Sequence, residues 1–485
     1  MPTAPFDQAD LDRVAQALTA LPQVQHARVA SDLTPDGEPR LTAHVTPAEQ
    51  PAAEREPEVE QRRVDEWQRI YEWVYGELPA SGGFGDNFVG WNSSYSNLPI
   101  PLDEMREWRD ASVERILAHR PRRILEIGVG TGLLMANLAG HCEQYTATDF
   151  SSTVIASLTA QLATVPELAD RVELLAREAN DFTDLPEDHY DLVVINSVIQ
   201  YFPNAAYLAE VITGALRRVR PGGAVFAGDL RNLRLLPSFR TAVLGRGLLA
   251  HRDPAEALAA VRQSSQDERE LLIDPDFFAA VRRDCPQAGA LDVRLKRAEH
   301  HNELSRHRYD AVLYRSPAPA LDLDGAEQVE FSGFEDLRKR LTEDRPELVR
   351  VASVPNLMVR HETAAAQLLA DLAPLAEVLH ELEPATATGA DPEEFHRLAA
   401  ELGYRAAVSW AASGAPDEID VVLARDSDPD AAVPYRPSGA LDLPYTAYGN
   451  NPARNAAAAA LVTTLRGKLA AVLPPHLVPA AIILD

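Results

Sequence analysis

A run of glycines stands at the point where an apolar strand pattern changes to a helical one. Residues 125–132 read LEIGVGTG, with glycines at Gly128, Gly130 and Gly132. Such glycines allow a tight turn and let the backbone approach a ligand closely. Glu126 precedes them inside the strand, which differs from the Gly-x-Gly-x-x-Gly spacing of dinucleotide sites. Asp149 ends the next predicted strand, where the hydroxyl groups of a ribose need a hydrogen-bond acceptor.

A third acidic residue, Asp181, follows the third predicted strand. Its neighbours Asn180 and Phe182 are a polar and an aromatic residue that can bracket an adenine, and Tyr71, Phe150 and Asn196 complete the candidate ligand-binding residues. A pocket lined by carboxylates suits a ligand that carries a sulfonium and an ammonium with a ribose diol between them. That ligand is S-adenosylmethionine, with S-adenosylhomocysteine as the product. The alternative is a strand-to-helix turn with incidental acids.

A second polar run, residues 196–203 (NSVIQYFP), ends the fourth predicted strand. In a doubly wound sheet the ligand lies beyond the carboxyl ends of the strands, so this run would face the methyl group. Methyl transfer aligns nucleophile, carbon and sulfur, and it needs a neutral nucleophile. An α-amine has a pKa near ~8, and Asn196, Gln200 and Tyr201 can orient it by hydrogen bonds. For Tyr201 and Phe202 the alternative is packing under a turn.

Two further carboxylates are candidates for accepting the amine proton or holding the ammonium form. Asp229 follows the fifth predicted strand and Glu303 precedes the last one. The alternative for Asp229 is a surface ion pair with Arg231. His300 and His301 are adjacent, and adjacent side chains rarely converge on one metal ion. We therefore expect no metal site.

The elements that position these residues alternate between strand and helix from Arg122 onward. Short apolar runs alternating with helices predict an α/β fold with a parallel, doubly wound sheet. Residues 293–296 and 310–314 are expected to close it as an antiparallel edge. Before the sheet, Trp67, Ile70, Tyr71 and Val74 form one helix face, and residues 82–101 form a long aromatic loop.

The flanking regions have patterns of their own. Residues 9–47 predict a helix, a strand, a turn at residues 35–37 and a second strand, followed by a linker at residues 48–60. Residues 317–430 predict helices at 334–341, 363–382 and 395–402 and a strand at 421–423. A final helix is expected at residues 453–473.

Composition excludes several functional classes. The chain of 485 residues carries 73 acidic and 46 basic side chains, a net charge of −27, so it repels nucleic acid. Its two cysteines do not support a disulfide framework or a zinc site. We see no signal peptide and no apolar stretch of about 18 residues that would span a membrane. The expected location is cytoplasmic.

Several motifs in register resemble the N-methyltransferase domains embedded in nonribosomal peptide synthetases. They are FVGWNSSY at 88–95, LEIGVGTGLL at 125–134, NSVIQYFP at 196–203, GDLRN at 228–232, ELL at 270–272 with Asp274-Pro275, and NEL at 302–304 with Arg308-Tyr309-Asp310. The resemblance covers residues 60–430 and implies a class I Rossmann-like fold with a helical lid. It also implies that S-adenosylmethionine is used to methylate the α-amine of an aminoacyl thioester on a carrier protein.

The resemblance assigns roles to particular residues. Glu126, the three glycines, Asp149 and Asp181 correspond to cofactor residues, and the helix with Tyr71 belongs to the lid. The remaining lid or substrate residues are Trp91, Asn92, Ser94, Tyr95 and Arg231. Val354-Pro355-Asn356 resembles a further family signature, but Leu357-Met358 stand where a small residue and an arginine are expected.

Both ends of the chain resemble parts of an adenylation domain. The expected organisation is an adenylation remnant at 1–49, a methyltransferase core with lid helices at 60–316, an accessory α+β region at 317–430 and a second remnant at 431–485. No adenylation activity is expected. The expected partners are an aminoacyl carrier protein or a small amine substrate, together with adenylation or synthetase subunits, without nucleic acid or membrane.

Two other functions remain open. One is a catalytically silent module that binds cofactor or carrier protein as a scaffold. The other is an O- or C-methyltransferase of the same fold. Carbon methylation ranks last, because no obvious His or Lys accompanies the NSVIQYFP run to act as a base.

Overall fold

The structure is a computed structural model that describes residues 6–33, 39–48, 55–77, 82–383, 388–425, 428 and 431–484. The turn predicted at residues 35–37 lies outside them. The chain divides into two compact units, Met1–Arg63 with Pro452–Asp485 and Val64–Asn451. Residues 431–451, predicted to belong to an adenylation remnant, are part of the larger unit. The assignment of the smaller unit to adenylation remnants stays a prediction.

The helices and strands are as follows in chain order. The strands are β1 (Val24–Leu33), β2 (Pro39–Pro47), β3 (Arg123–Ile127), β4 (Gln144–Asp149), β5 (Val172–Ala176), β6 (Tyr190–Asn196), β7 (Val219–Arg231), β8 (Ala288–Leu295), β9 (Arg308–Arg315), β10 (Glu327–Val329), β11 (Leu348–Pro355), β12 (Tyr404–Trp410), β13 (Glu418–Arg425) and β14 (Ala481–Leu484). The α-helices are α1 (Gln8–Thr19), α2 (Pro57–Glu77), α3 (Leu102–Leu117), α4 (Met135–Leu138), α5 (Ser152–Leu162), α6 (Pro166–Ala169), α7 (Ala205–Arg218), α8 (Leu236–Leu244), α9 (Pro254–Gln266), α10 (Asp276–Asp284), α11 (Glu303–Arg306), α12 (Phe334–Glu343), α13 (Arg360–Ala370), α14 (Leu375–Glu381), α15 (Pro392–Leu402) and α16 (Pro452–Val472).

The smaller unit packs two helices on a three-stranded sheet. β1 pairs antiparallel with β2, and β14 pairs parallel with β2 on its other side. Val14 and Leu18 of α1 and Leu465 and Leu469 of α16 are fully buried in its core. Burial at i and i+4 on each helix is the pattern of one apolar face against a core.

The larger unit contains a seven-stranded sheet in the order β5-β4-β3-β6-β7-β9-β8. Neighbours from β5 to β7 are parallel, whereas β9 is antiparallel to β7 and to β8. Helices cover both faces: Leu125 of β3 packs in the cluster that contains Leu208 of α7, and Ile124 packs in the one that contains Leu158 of α5. The predicted α/β doubly wound fold and its antiparallel edge are confirmed.

A four-stranded sheet, β10-β11-β13-β12, forms the later part of the larger unit. The sequence reading predicted β13 but neither β11 nor β12. Val349, Val351 and Val354 of β11 are buried between less buried neighbours, so the strand is only half apolar. That alternation is the available signal for a half-buried strand.

Two other elements differ from expectation. The predicted linker at 48–60 ends early, because α2 begins at Pro57, where proline suits the first helical turn. The single helix predicted at 363–382 is two helices, α13 and α14. Leu372 between them has a φ of +60°, and Pro374 directly precedes α14, so the helix cannot continue through. Among the described residues no helix is both long and apolar enough to cross a bilayer.

Candidate active site

A cavity of about 690 Å³ lies at the carboxyl edge of the parallel strands. Its wall includes residues that follow β3, β4, β6 and β7. They include Gly128 to Thr131, Asp149 and Phe150, Asn196 to Val198, and Arg231 and Asn232. β3 stands between β4 and β6, so the strand order reverses here. Ligands bind at this reversal in open α/β sheets.

The glycine turn after β3 has the shape that only glycine permits. Gly128 and Gly132 both have a φ of +80°. A Cβ on Gly128 would lie 2.3 Å from Cγ2 of Val198, so any side chain there would collide with the turn after β6. The amides of Gly128 and Val129 donate to the Thr148 carbonyl at 2.8 and 2.9 Å, which ties the turn to β4.

Asp149 is held beneath this turn as the last residue of β4. Its Oδ2 accepts from the Gly130 amide at 3.0 Å and its Oδ1 accepts from the Ser151 amide at 2.9 Å. Burial raises the pKa of Asp149 to about 6, although both amides oppose that shift. Each carboxylate oxygen keeps a second lone pair for a ligand.

Glu126 is a buried carboxyl inside β3 that also lines the cavity. The hydroxyl of Tyr145 donates to its Oε2 at 2.7 Å. Burial raises the pKa of Glu126 to about 8, and the negative charge of Asp149 adds to the rise. Without a cation nearby, this group is therefore mostly protonated at neutral pH.

An aromatic wall faces the glycine turn. Trp67 and Tyr71 of α2 lie 4.7 and 5.0 Å between ring centroids from Tyr201. Tyr75 extends the stripe by one turn and lies near Gly130, where an added Cβ would stand 3.4 Å from its hydroxyl. Gln68 anchors the helix by donating to the Phe150 carbonyl at 2.7 Å. Burial raises the pKa of Tyr201 to about 12, so its hydroxyl is neutral.

Asp181 does not line the cavity, nor do its neighbours Asn180 and Phe182, which were predicted to bracket an adenine. Asn180 accepts from the Tyr207 hydroxyl at 3.1 Å, and Phe182 packs against α7 with its ring 5.4 Å from the Arg218 guanidinium. Asp181 is exposed and accepts from the Thr183 amide at 3.0 Å. Their neighbours Arg177 and Ala179 line the cavity instead. A cofactor role for the predicted three stays a prediction.

The end of β6 carries two buried acceptors. Asn196 donates to the Ser197 hydroxyl at 3.1 Å, but its Oδ1 has no hydrogen-bond partner in the described part of the chain. Oε1 of Gln200 likewise has none there. Both side chains line the cavity. Ser197 has a φ of +58°, which turns the chain sharply after the strand.

Asp229 lies behind the wall of the cavity and does not line it. Its carboxylate accepts from Trp108 Nε1 at 2.9 Å and Ser197 Oγ at 2.6 Å, and it pairs with Arg308. Burial would raise its pKa, but Arg308 and Lys296 hold the pKa of Asp229 below its usual range. These partners and the full burial of Asp229 favour a structural role, and its catalytic role stays a prediction.

Arg231 does line the cavity, but it does not pair with Asp229. It donates to Glu270 Oε2 at 2.8 Å and to Glu268 Oε2 at 3.0 Å. The alternative of a surface Asp229–Arg231 pair is wrong, because Asp229 is fully buried and each residue has other partners. Glu270 belongs to the ELL motif at 270–272, whereas Glu268 lies outside it and had no sequence signal.

The long loop at 88–100 covers one side of the cavity. The ring of Trp91 lies 4.8 Å from that of Trp108, and Asn92 forms a backbone bridge with Pro99. Glu303, the first residue of α11, accepts from the Ser94 amide and from the Ser94 hydroxyl, each at 2.8 Å. Of these residues, all but Pro99 line the cavity. Glu303 therefore both holds the loop and faces the ligand space.

Tyr95 points away from the main cavity. Its hydroxyl donates to Glu362 Oε1 at 3.1 Å and lies 3.1 Å from Nε2 of His307. His307 and Arg308 line the main cavity, and neither was predicted as a site residue. Both belong to the NELSRHRYD segment, whose motif was recognised without a role for these positions. In the described part of the chain, no group of three His, Cys, Asp or Glu residues is placed to hold a metal ion.

Comparison with known proteins finds a matching family model and several related proteins. Residues 125–225 match the family model of a methyltransferase domain. The chain is 35% identical to chondramide synthase cmdD of Chondromyces crocatus, over 98% of this chain and 12% of that protein. It is also 35% identical to CymA of Salinispora arenicola, described as a probable non-canonical nonribosomal peptide synthetase, over 97% of this chain and 5% of that protein.

Solved structures with a related core include the N-methyltransferase NodS from Bradyrhizobium japonicum in complex with S-adenosyl-l-homocysteine. The similarity has a TM-score of 0.33 at 14% identity, and it covers 51% of this chain and 98% of that one. The chain spans no more than 12% of the length of the two curated relatives.

Proposed function

We propose, from the premise that this chain contains a methyltransferase domain, that it transfers a methyl group from S-adenosylmethionine to an α-amine. The acceptor would be an amino acid or an aminoacyl or peptidyl thioester. CymA, which matches almost the whole chain, is described as a probable non-canonical nonribosomal peptide synthetase, and this supports an acceptor that is part of peptide assembly.

The cavity has features that fit this methyl donor. The glycine turn leaves room for close approach, and Asp149 has free lone pairs for the ribose hydroxyls. Glu126 supplies a second carboxyl, and Tyr71, Tyr75 and Tyr201 supply aromatic faces that attract a cation. Bound there, S-adenosylmethionine supplies a methyl group on a positively charged sulfur.

The observation that carries the choice of an amine is the pair of unpartnered acceptors at the end of β6. Asn196 Oδ1 and Gln200 Oε1 are buried at the cavity wall without a donor among the described residues. A buried acceptor left without a partner costs about 1–3 kcal/mol. A neutral primary amine offers two N–H donors, whereas a hydroxyl offers one and an α-carbon offers none of comparable strength.

The residues around the acceptor then orient and shield it. Hydrogen bonds from the amine to Asn196 and Gln200 would aim the nitrogen lone pair, and alignment of this kind is a large part of catalysis. The lone pair forms the new N–C bond while the C–S bond breaks with its electrons left on sulfur. Trp91 and the Ser94–Glu303 contact would keep water from the site.

The test is an acceptor panel read by intact mass. The full chain and S-adenosylmethionine are mixed with free amino acids, with aminoacyl carrier thioesters, with 2-hydroxyacyl thioesters of the same side chain, and with α,α-dialkyl aminoacyl thioesters. An N-methyltransferase methylates both amine thioesters and leaves the hydroxy acid unchanged. Methylation of the hydroxy acid alone would indicate oxygen transfer, and failure on the dialkyl substrate alone would indicate carbon transfer.

The same panel addresses the scaffold alternative. The affinity for S-adenosylmethionine is measured in parallel by calorimetry. Donor binding without transfer to any acceptor would overturn the proposed activity and favour a binding module. Transfer to free amino acids would show that the acceptor need not be attached to a carrier.

A further inference from the structure

His307 stands between the ligand cavity and a buried carboxylate. It is the residue before β9, and its side chain is 8% exposed and lines the cavity. Its Nε2 lies 2.8 Å from Oε2 of Glu362, which is 3% exposed on α13. The ring also packs edge-on against Phe239, 4.9 Å between centroids. The imidazole is therefore held on one side by a carboxylate and on another by an aromatic ring.

The neighbours of Glu362 determine which nitrogen of His307 carries the proton. Burial would raise the pKa of Glu362, but His307 and Arg306 keep it below the usual range of a carboxyl. The Tyr95 hydroxyl donates its hydrogen to Oε1 of Glu362, so toward Nε2 of His307, 3.1 Å away, its oxygen accepts and Nε2 carries the hydrogen. The second nitrogen, Nδ1, is buried and has no hydrogen-bond partner in the described residues. In the neutral ring it presents a lone pair.

Charged and titratable groups approach this pair from several elements. Tyr95 comes from the loop at 88–100, His361 from α13 lies 3.9 Å from Glu362, and Arg306 donates to Glu362 at 3.2 Å. Arg308 follows His307 in the chain and pairs with Asp229. On the far side, Phe239 carries the Arg231 and Arg240 guanidiniums over its ring, at 5.5 and 5.7 Å. Their charge is balanced by Glu268 and Glu270.

We propose that His307 is the catalytic base, whose Nδ1 takes the proton from the ammonium form of the acceptor. This inference rests on the proposed function. The ammonium gives one proton to Nδ1 and becomes a neutral amine; its lone pair forms the N–C bond, and the C–S electron pair stays on sulfur. The product leaves as a secondary ammonium, and the imidazolium returns its proton to solvent. Glu362 and Tyr95 are positioning residues that orient the ring through Nε2.

A second cavity, of about 520 Å³, supports the return of the proton. It is lined by Tyr95, Arg306, His361 and Glu362 and so reaches the side of the pair that faces away from the ligand. The run at residues 196–203 contains no histidine, and His307 provides one from a different part of the chain. Histidine is the side chain that exchanges protons near neutral pH.

The test compares wild type with His307→Gln. Glutamine can keep a donor toward Glu362 but has no basic atom that could take up a proton in place of Nδ1. Single-turnover methyl transfer to an aminoacyl thioester is measured between about pH 6 and 9, a range that spans an α-amine pKa of ~8. We expect the variant to be slower by about 10²–10⁴-fold at neutral pH. We also expect its rate to approach that of wild type as the pH rises and the amine loses its own proton.

An acceptor that needs no base separates catalysis from structure. The α-aminooxy analogue of the acceptor is unprotonated at neutral pH, so His307→Gln should methylate it at close to the wild-type rate. His300→Gln, at an exposed histidine that pairs with Glu107 and does not line the cavity, serves as the matched control and should keep the wild-type rate. Affinity for S-adenosylmethionine should be the same in all three proteins.

Two outcomes would overturn the role of His307. One is an unchanged rate in His307→Gln; the other is a defect that is equal at every pH and with both acceptors. Failure of wild type to methylate any amine is a different result, because it removes the proposed function itself. A readout without turnover is ¹⁵N-histidine NMR, in which the signal lost in His307→Gln should be that of a neutral ring protonated at Nε2.

Discussion

At the scale of single residues, the carboxyls near the ligand edge differ in what surrounds them. Asp149 accepts two backbone amides and still faces the cavity, whereas Asp181 is exposed and caps a turn. Asp149→Ala should weaken binding of S-adenosylmethionine by about 1–3 kcal/mol, because the ribose loses its acceptor. Calorimetry measures this directly. Asp181→Ala is the matched control. An equal loss of affinity in both variants would mean that Asp181 also contacts the cofactor.

Glu126 predicts a dependence of stability on pH. Its pKa is raised from an ordinary 4.5 to about 8, so the folded protein keeps a proton that the unfolded chain has lost. Stability should therefore fall as pH rises through that window. Glu126→Gln keeps an acceptor for Tyr145 and removes the charge. Urea unfolding is measured at the two ends of this pH range. The free energy of unfolding of Glu126→Gln should rise relative to that of wild type toward alkaline pH. The exposed Glu173→Gln should show no such trend.

The buried contacts of Asp229 favour a role in stability. It is fully buried and compensates Arg308. Asp229→Asn should cost about 3–5 kcal/mol of unfolding free energy, because a guanidinium is left without its counter-charge. Urea denaturation is the measurement, with the exposed Asp284→Asn, which loses a pair with Arg283, as the control. If Asp229→Asn kept the wild-type stability but lost turnover, the result would instead support the predicted catalytic role of Asp229.

At the scale of elements, the cover loop depends on one contact across the chain. Ser94 donates twice to Glu303, from its amide and its hydroxyl. Glu303→Ala should release the loop, raising amide hydrogen exchange at residues 93–98 and lowering methyl transfer. Ser96→Ala alters the same loop but leaves this contact, so exchange should rise only at Leu98, whose amide donates to the Ser96 hydroxyl at 3.3 Å. No change in exchange on losing Glu303 would mean that the aromatic packing of Trp91 alone holds the loop.

The elements also show what local sequence can and cannot predict. The order of β3, its glycine turn and β4 was predictable, because apolar strands and glycines act within a few residues of one another. The burial of Asp229 was not, because Trp108 and Arg308 reach it from 121 and 79 residues away. His307 was hidden for the same reason, since its partner Glu362 is on a helix 55 positions later in the chain. Partners across such separations become visible only in the fold.

At the scale of the whole molecule, every residue that lines the ligand cavity belongs to the larger unit. The cavity-lining residues run from Val64 to Arg308, and the larger unit is Val64–Asn451. The smaller unit has its own sheet and its own buried cluster. Binding of the methyl donor should therefore be a property of the larger unit, whichever role the smaller unit has.

A chain of residues 57–451, which keeps α2 whole, tests this division. We expect it to bind S-adenosylmethionine with the affinity of the full chain and to gain the same thermal stability from the ligand, because binding to the folded state alone sets that gain. The 57–451 chain with Asp149→Ala controls for nonspecific stabilisation. If the shortened chain folds, as judged by circular dichroism, but binds the donor much more weakly, the cavity needs the smaller unit. In that case methyl transfer by this protein would depend on both units, and the acceptor panel would have to be read on the full chain alone.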